Sequence, residues 1–533
     1  MVRFLQKIFT IFILPLCTGL LLGISAIPSD YFYLSFVAFL PLLYAGDYVK
    51  TPTKSLRTFA LQILVAMVAF FICGYYWVLQ TANLGFLVAA ISIIPFVFIL
   101  SLYTSFKKHS NKLASLYFIA AWLTVELIQA NFQLGSPFYN LGNNLGANTK
   151  LIQWYEYTGA SGGTLWILSI NFLLYAFVRK FSSGFKTLLR SGLVLLFVVI
   201  TPILISLIIY SGYKEKGISK EVLVIHPSTD NRDVKYRVNI YELMDIYLGI
   251  MLPELTAHTE YVVLPETAIT NAGWVKDFNR NLVFDHFYEH TDSFPNLKLI
   301  TGAVVYEEIP DVEKIKHYQR IPGIRFSENY KTWYYTYNAA LQIEKEQAPQ
   351  LRVKDQLVPY QEYAPYPLVM PRLTPVGIDF QFSKRENNRM VFRAANGLQA
   401  SAMVCYESVY NKLFYQASRE GAQAFFVLLN EGWYENGNVP KQFLQHSVIR
   451  AVENRRSIAH SSNMGISAII NQRGDIIDIT DSKNADALRQ DIKLNRKVTF
   501  FARLGSYIEV MALMTTIGLI AYLLIMKIKN PRL

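Results

Sequence analysis

Only three of the 533 residues are cysteines, and they fall in separate contexts at 17, 73 and 405. That excludes a disulfide framework and any Cys-x-x-Cys metal spacing. No glycine-rich phosphate loop, internal repeat or low-complexity tract occurs either, so the sequence encodes neither a phosphate cradle nor a solenoid. Charge is scarce: 17% of residues are Asp, Glu, Lys or Arg against 52% hydrophobic, and the mean hydropathy is +0.23. Such a chain is too apolar for an ordinary soluble protein and too polar to be membrane throughout.

Long apolar runs are what the chain has instead. Seven lie near residues 8–26, 31–47, 59–80, 86–105, 113–131, 160–178 and 191–212, and an eighth lies near 506–527. Each approaches the roughly 20 residues that cross a bilayer core, which predicts a membrane α-helical bundle of about eight transmembrane helices. The second run contains Pro41 and reads as a tilted or shorter element. The first follows Arg3 and Lys7 and ends in Ser25-Ala-Ile-Pro28 as a signal peptide would, but further spans come immediately after it, so it reads as a retained helix. Basic residues cluster at Arg3 and Lys7, at Lys50, Lys54 and Arg57, at Lys107, Lys108 and Lys112, from Arg179 to Arg190, and from Lys527 to Arg532. With eight crossings these clusters share one face, cytoplasmic by the positive-inside rule. The insert then lies opposite, which in a bacterium is the periplasmic face of the inner membrane. Topology accounts for the net charge of +12, and nucleic acid is not an expected partner.

The chain therefore divides into an N-terminal membrane domain at 1–213, an insert at 214–500, and a closing span with a cytoplasmic tail at 501–533. Within the insert, Val222–Ile225, Tyr261–Leu264, Leu297–Val305 and Ala424–Leu429 read as strands alternating with helix-like stretches. This is an α/β pattern of one domain's length.

Three strand ends in the insert carry polar residues: Val262-Val-Leu-Pro-Glu266, Leu351-Arg-Val-Lys354 and Met403-Val-Cys405. Together they supply a carboxylate, an ammonium and a thiol. A thiol attacking a carbonyl needs a base for its proton and a positive group for the tetrahedral oxyanion, and Glu266, Lys354 and Cys405 meet those needs without histidine. A thiol passing from a strand into a helix start sits at the positive end of that helix, which favours thiolate. Tyr406 and Glu407 flank it, as first-turn stabilisers or as substrate contacts. Trp274, downstream of Glu266, fits an aromatic loop beside the site, or a ring packed in a core or at a membrane interface.

A Glu, a Lys and a Cys in this order after successive strands resemble the nitrilase superfamily, and the whole chain is most similar to its apolipoprotein N-acyltransferase family. The block from Lys354 to Glu362, with Leu357-Val-Pro359 inside it, resembles the family's lysine segment and second glutamate. Asn430-Glu-Gly-Trp433-Tyr434, Gln442 to Arg455, and Asn463-Met-Gly465-Ile-Ser467 are similar to further family pieces. Gly135-Ser-Pro137-Phe lacks the tryptophan that usually follows the proline, and Ser506 stands where the family has aspartate. The resemblance implies a nitrilase-type α-β-β-α sandwich with Glu266, Lys354 and Cys405 catalytic and Glu362, Tyr406, Glu407, Trp274 and Trp433 supporting or substrate-binding. It further implies a phospholipid acyl donor, a diacylglyceryl-modified apolipoprotein acceptor, a thioester on Cys405, a monomeric enzyme, and no metal or organic cofactor.

Other classes fit parts of the chain. A membrane-tethered amidase would use the same three residues with water as acceptor. His286-Phe-Tyr-Glu289-His290 matches the H-x-x-E-H of zinc proteases, but no third ligand block accompanies it. A non-catalytic receptor or transporter would not need the three polar residues.

Overall fold

The computed structural model describes residues 2–48, 52–81, 85–182, 184–314, 323–359, 361–363, 382–385, 388–433, 438–480 and 483–529. It contains two compact units, one made of the described residues up to Gln80, from 85 to 212 and from Leu504 onward, the other of Thr81 and Tyr213–Arg503.

In the first unit, seven helices among the described residues are long and apolar enough to cross a membrane: Phe4–Ser25, Ser55–Tyr75, Val88–Lys107, Asn111–Asn131, Ala160–Arg179, Phe185–Gly212 and Tyr507–Lys529. Phe185, Leu189, Leu193, Phe197 and Ile208 are half or more exposed, a surface suited to lipid. The second expected span is a correction, because 31–47 is not one helix. Asp30–Phe36 is 3₁₀ and Leu40–Asp47 is a separate α-helix with Pro41 in its first turn. Proline starts a helix readily but cannot continue one, since it has no N–H to donate.

Neighbouring side chains satisfy the backbone groups freed by this break, as an apolar medium demands. Phe39 N–H donates to Asn171 Oδ1 at 2.9 Å, Leu42 N–H to Thr18 Oγ1 at 3.1 Å, and Asn171 Nδ2 to the Ser35 carbonyl at 2.9 Å. Seven 3₁₀ residues at about 2.0 Å each and eight helical ones at about 1.5 Å, plus the turn between, approach the roughly 30 Å of a hydrocarbon core. At the far end the Asp47 carboxylate pairs with Lys107 and Arg179, the last residues of two long spans. The broken segment thus finishes on the face where those spans finish. Deeper in this unit, Glu126 accepts from Leu141 N–H, Thr164 Oγ1 and Trp122 Nε1 at 2.9–3.0 Å and ties down the loop that begins at Pro137.

The second unit is a two-sheet sandwich. Its strands are β1 (Ile218–His226), β2 (Thr259–Val263), β3 (Lys298–Ile309), β4 (Ile324–Ser327), β5 (Thr332–Glu344), β6 (Gln350–Val353), β7 (Phe392–Arg393), β8 (Gln399–Val404), β9 (Ala424–Leu429), β10 (Ile458–Ser462), β11 (Ser467–Ile470), β12 (Ile476–Thr480) and β13 (Asp486–Leu494). One sheet runs β13-β1-β2-β3-β5-β4 with β6 beside β5, and the other runs β12-β11-β10-β9-β8-β7. The centres are parallel, β1-β2-β3 and β8-β9-β10, with antiparallel margins. Parallel neighbours need crossovers, and helices Ile240–Met251, Leu282–Thr291, Asn411–Arg419 and Val439–Asn454 supply them.

Residues alternate along a strand, which divides each sheet between two layers. Leu223 and Ile225 of β1, Val262 of β2 and Leu299 of β3 pack on Leu243, Tyr247, Phe284 and Phe287 of the outer helices. On the inner side Tyr261 meets Phe426 with ring centroids 5.0 Å apart, and Ser461 Oγ donates to the Ile225 carbonyl. The result is an α-β-β-α sandwich, and the four expected strand runs are β1, β2, β3 and β9.

Candidate active site

Glu266 lies three residues beyond β2, Lys354 directly beyond β6, and Cys405 directly beyond β8. The sandwich brings all three to one cavity of about 410 Å³, whose described walls also include Asn338, Glu362, Thr267, Tyr236, Asn430 and Phe382. Lys354 is 1% exposed and donates to Glu266 Oε1 at 3.0 Å and to Glu362 Oε1 at 2.8 Å. Asn338 Nδ2 bridges the same two oxygens at 2.8 and 3.2 Å, and Val358 N–H holds Glu362 Oε2 at 2.7 Å. Burial opposes the charge on Lys354, but Glu266, Glu362 and Cys405 outweigh it and hold the ammonium well above its ordinary range. Burial raises Glu362, and Lys354 only partly offsets this.

Cys405 departs from expectation. Burial pushes its thiol well above the ordinary value, Glu266 adds to that, and Lys354 opposes only part of it. The resting sulfur is therefore a thiol and not a thiolate. The helix start cannot reverse this, since it is a five-residue 3₁₀ turn, Cys405–Val409, with little dipole to offer. Attack then requires proton removal by Glu266 in the same step, and the thiol already hydrogen-bonds that carboxylate. The backbone at Cys405 has φ +51° and Thr267 beside Glu266 has φ +49°, conformations that cost about 1–3 kcal/mol each and persist where surroundings impose them.

Glu407 imposes one of them. It is fully buried and is not among the described walls of this cavity. Its carboxylate takes Arg352 Nη1 at 2.6 Å and Nη2 at 3.0 Å, plus the N–H groups of Val404 and Asp355 at 2.7 Å. It therefore clamps the Cys405 turn to the β6 end that carries Lys354, which replaces both the dipole and the substrate-contact readings. Tyr406 packs edge-on against Tyr410 and is not among the cavity walls. Trp274 is also outside them, packed among Tyr306, Tyr330 and Tyr334 at 5.1–5.9 Å in a partly exposed aromatic cluster and not in a core. Trp433 lies in the turn Glu431–Trp433, with its side chain outside the described residues, as is all of Tyr434. His286 binds Asp245 at 2.7 Å and His290 binds the His286 carbonyl, and among the described residues no three His, Cys, Asp or Glu side chains could hold a metal ion.

Sequence reading missed Asn338, Lys235 and Gly302. A buried asparagine inside β5 and a glycine inside β3 are each anomalies a strand rarely carries without reason. A Cβ on Gly302 would meet Thr267 N at 2.4 Å, Glu266 Cα at 2.6 Å and the Pro265 carbonyl at 2.7 Å, all backbone. Gly302→Ala should therefore displace Glu266. A misplacement approaching 1 Å costs on the order of 10²-fold, so kcat should drop by about that much with the circular-dichroism spectrum intact. Wild-type turnover in this variant would show that Glu266 tolerates the shift. Lys235 Nζ donates to the Glu266 carbonyl at 2.8 Å, and burial pushes its ammonium down to about 7, with Glu266 and Cys405 opposing.

Residues 18–173 match the apolipoprotein N-acyltransferase N-terminal domain, and residues 253–497 match carbon-nitrogen hydrolase. An apolipoprotein N-acyltransferase of Chlorobaculum tepidum is 25% identical over 513 residues, covering 92% of each chain. One from Thermotoga maritima is 22% identical over 490 residues, 88% of this chain and 85% of its own. Among solved structures, a nitrilase-superfamily protein of Saccharomyces cerevisiae covers 52% of this chain and 91% of its own at 14% identity, with a TM-score of 0.36.

Proposed function

We propose, for a chain that belongs to the apolipoprotein N-acyltransferase family, that Cys405 carries an acyl group from a phospholipid to the N-terminal amine of a lipoprotein. The observation that best supports this is the meeting of Cys405, Glu266 and Lys354 at one cavity in a chain that also has the family's membrane domain. In the first half-reaction Glu266 takes the thiol proton as sulfur bonds to the ester carbonyl carbon. Lys354 stabilises the oxyanion. The intermediate then collapses, the C–O bond breaks, and Glu266 returns the proton to the departing lysophospholipid. In the second, the α-amine of a diacylglyceryl-cysteine attacks the thioester, Glu266 accepts its proton, and as the C–S bond breaks Glu266 passes that proton to sulfur, which regenerates the thiol and the carboxylate. Glu362 and Asn338 keep Lys354 and Glu266 in register, and one copy of the chain supplies every group.

A membrane domain suits these substrates, since lifting an acyl chain out of lipid costs about 0.8 kcal/mol per CH₂. We place the enzyme in a bacterial inner membrane. Six uninterrupted N-terminal spans plus the broken one support a periplasmic position for residues 213–503, opposite the basic loops. A reporter cysteine on the surface of that unit should react with a membrane-impermeant maleimide in cells whose inner membrane is intact. Labelling only after lysis would reverse the topology. The activity itself is tested by the N-terminal mass of lipoproteins from cells lacking this protein and from the same cells expressing it. Expression should add one acyl group on the cysteine amine, and a free amine in both would contradict the reading.

A further inference from the structure

The site holds a second buried ammonium that the reaction above does not use. Lys235 closes the π-helical turn Asn231–Lys235, ahead of helix Ile240–Met251, and is 0% exposed. Its Nζ donates to the Glu266 carbonyl at 2.8 Å and lies 5.7 Å from the ring centroid of Tyr236. No carboxylate pairs with it among the described residues. The buried Lys298, by contrast, binds Glu260, and Lys354 sits between Glu266 and Glu362.

We propose that Lys235 is a positioning residue for acyl transfer, which pins the main chain of Glu266 and supplies the positive charge that offsets the anions of the Cys405 cluster. This rests on the roles given above to Glu266 and Cys405. Charge counting carries it. With Glu266 and Glu362 both ionised, Lys354 balances only one of them, and the buried cluster is left with one negative charge. In the tetrahedral intermediate Glu266 has gained the thiol proton and the substrate oxygen has gained the charge, so the excess persists. Lys235 brings both states to neutrality. An uncompensated buried charge is expensive, and this one lies where the reaction moves charge.

A hydrogen bond to a carbonyl does not by itself require lysine, whereas a charge does. A lysine this deep surrenders its proton easily unless anions hold it. The anions facing the cluster are the Glu266 and Glu362 carboxylates, beside the Cys405 thiol, with Lys354 opposing and the Tyr236 hydroxyl nearby.

The experiment uses the full-length protein in phospholipid nanodiscs and three variants. Lys235→Gln keeps a neutral donor, Lys235→Arg keeps the charge, and Lys235→Met removes both. Iodoacetamide labelling of Cys405 is followed against pH by mass spectrometry of its own peptide, which separates it from Cys17 and Cys73. In the Gln and Met variants labelling at about pH 6, where Lys235 still holds its proton, should slow about tenfold, and the gap to wild type should close as pH rises and that ammonium is lost. The Arg variant should label at the wild-type rate at that pH. A wild-type rate in Lys235→Gln at that pH would overturn the proposal, because a donor without charge would then suffice. If the Met variant does not fold, the Gln and Arg proteins decide between the same outcomes. Labelling reports on the thiol whether or not any lipoprotein is acylated, so failure here and failure of the proposed function are distinguishable.

Discussion

Lys354→Met should lower turnover by about two to three orders of magnitude, the scale of about 2.7–4 kcal/mol for a lost oxyanion donor. Two effects compete in this variant. Removing one partner of a buried ion pair typically costs about 3–5 kcal/mol of stability, and here two carboxylates lose their shared cation. Glu362 is already raised by burial and by Glu266, so it can take up a proton and donate to Glu266 in place of the ammonium. Most of the stability cost is relieved that way. The catalytic cost is not, because a carboxylic acid bonded to Glu266 leaves the oxyanion without its cation. The variant should fold and insert with a modestly lower melting temperature, and single-turnover acylation of Cys405 should carry the loss. Near-normal acylation would remove Lys354 from the mechanism.

The three principal residues were legible because each stands within three residues of the end of a run that became a strand. Their order along the chain also resembles that of the nitrilase superfamily, and it was this resemblance, with the chemistry the three groups supply, that predicted that Glu266, Lys354 and Cys405 meet. What the sequence concealed depends on distance through space. Glu407 and Arg352 are 55 positions apart and pair face to face, so a residue that reads as a helix-start carboxylate is a buried clamp. The thiolate expectation failed because a five-residue 3₁₀ turn contributes little field, while burial and two carboxylates act on the sulfur directly. Hydropathy marked 31–47 as apolar enough to span, and Pro41 marked the defect, but only the fold supplies Asn171 and Thr18 to satisfy the broken backbone. Trp274 was drawn toward the cavity by its sequence proximity to Glu266, and three tyrosines hold it elsewhere.

The largest effect should come from Cys405 itself. Mixed with phospholipid and no acceptor, the full-length protein should gain the mass of one acyl chain on the Cys405 peptide, and neutral hydroxylamine should remove it, as it does a thioester. Cys405→Ser should gain almost none, since a hydroxyl is a far weaker nucleophile than sulfur even with Glu266 in place to take its proton. Adding a peptide that bears an N-terminal diacylglyceryl-cysteine should discharge the adduct and place the acyl group on the peptide's amine. This acylation and discharge, followed by intact mass, is the most direct measurement of the central claim. The account predicts an adduct on Cys405 that passes to the amine. Discharge to water with the amine left free would make the protein a hydrolase, and N-acylated peptide without any Cys405 adduct would contradict the account.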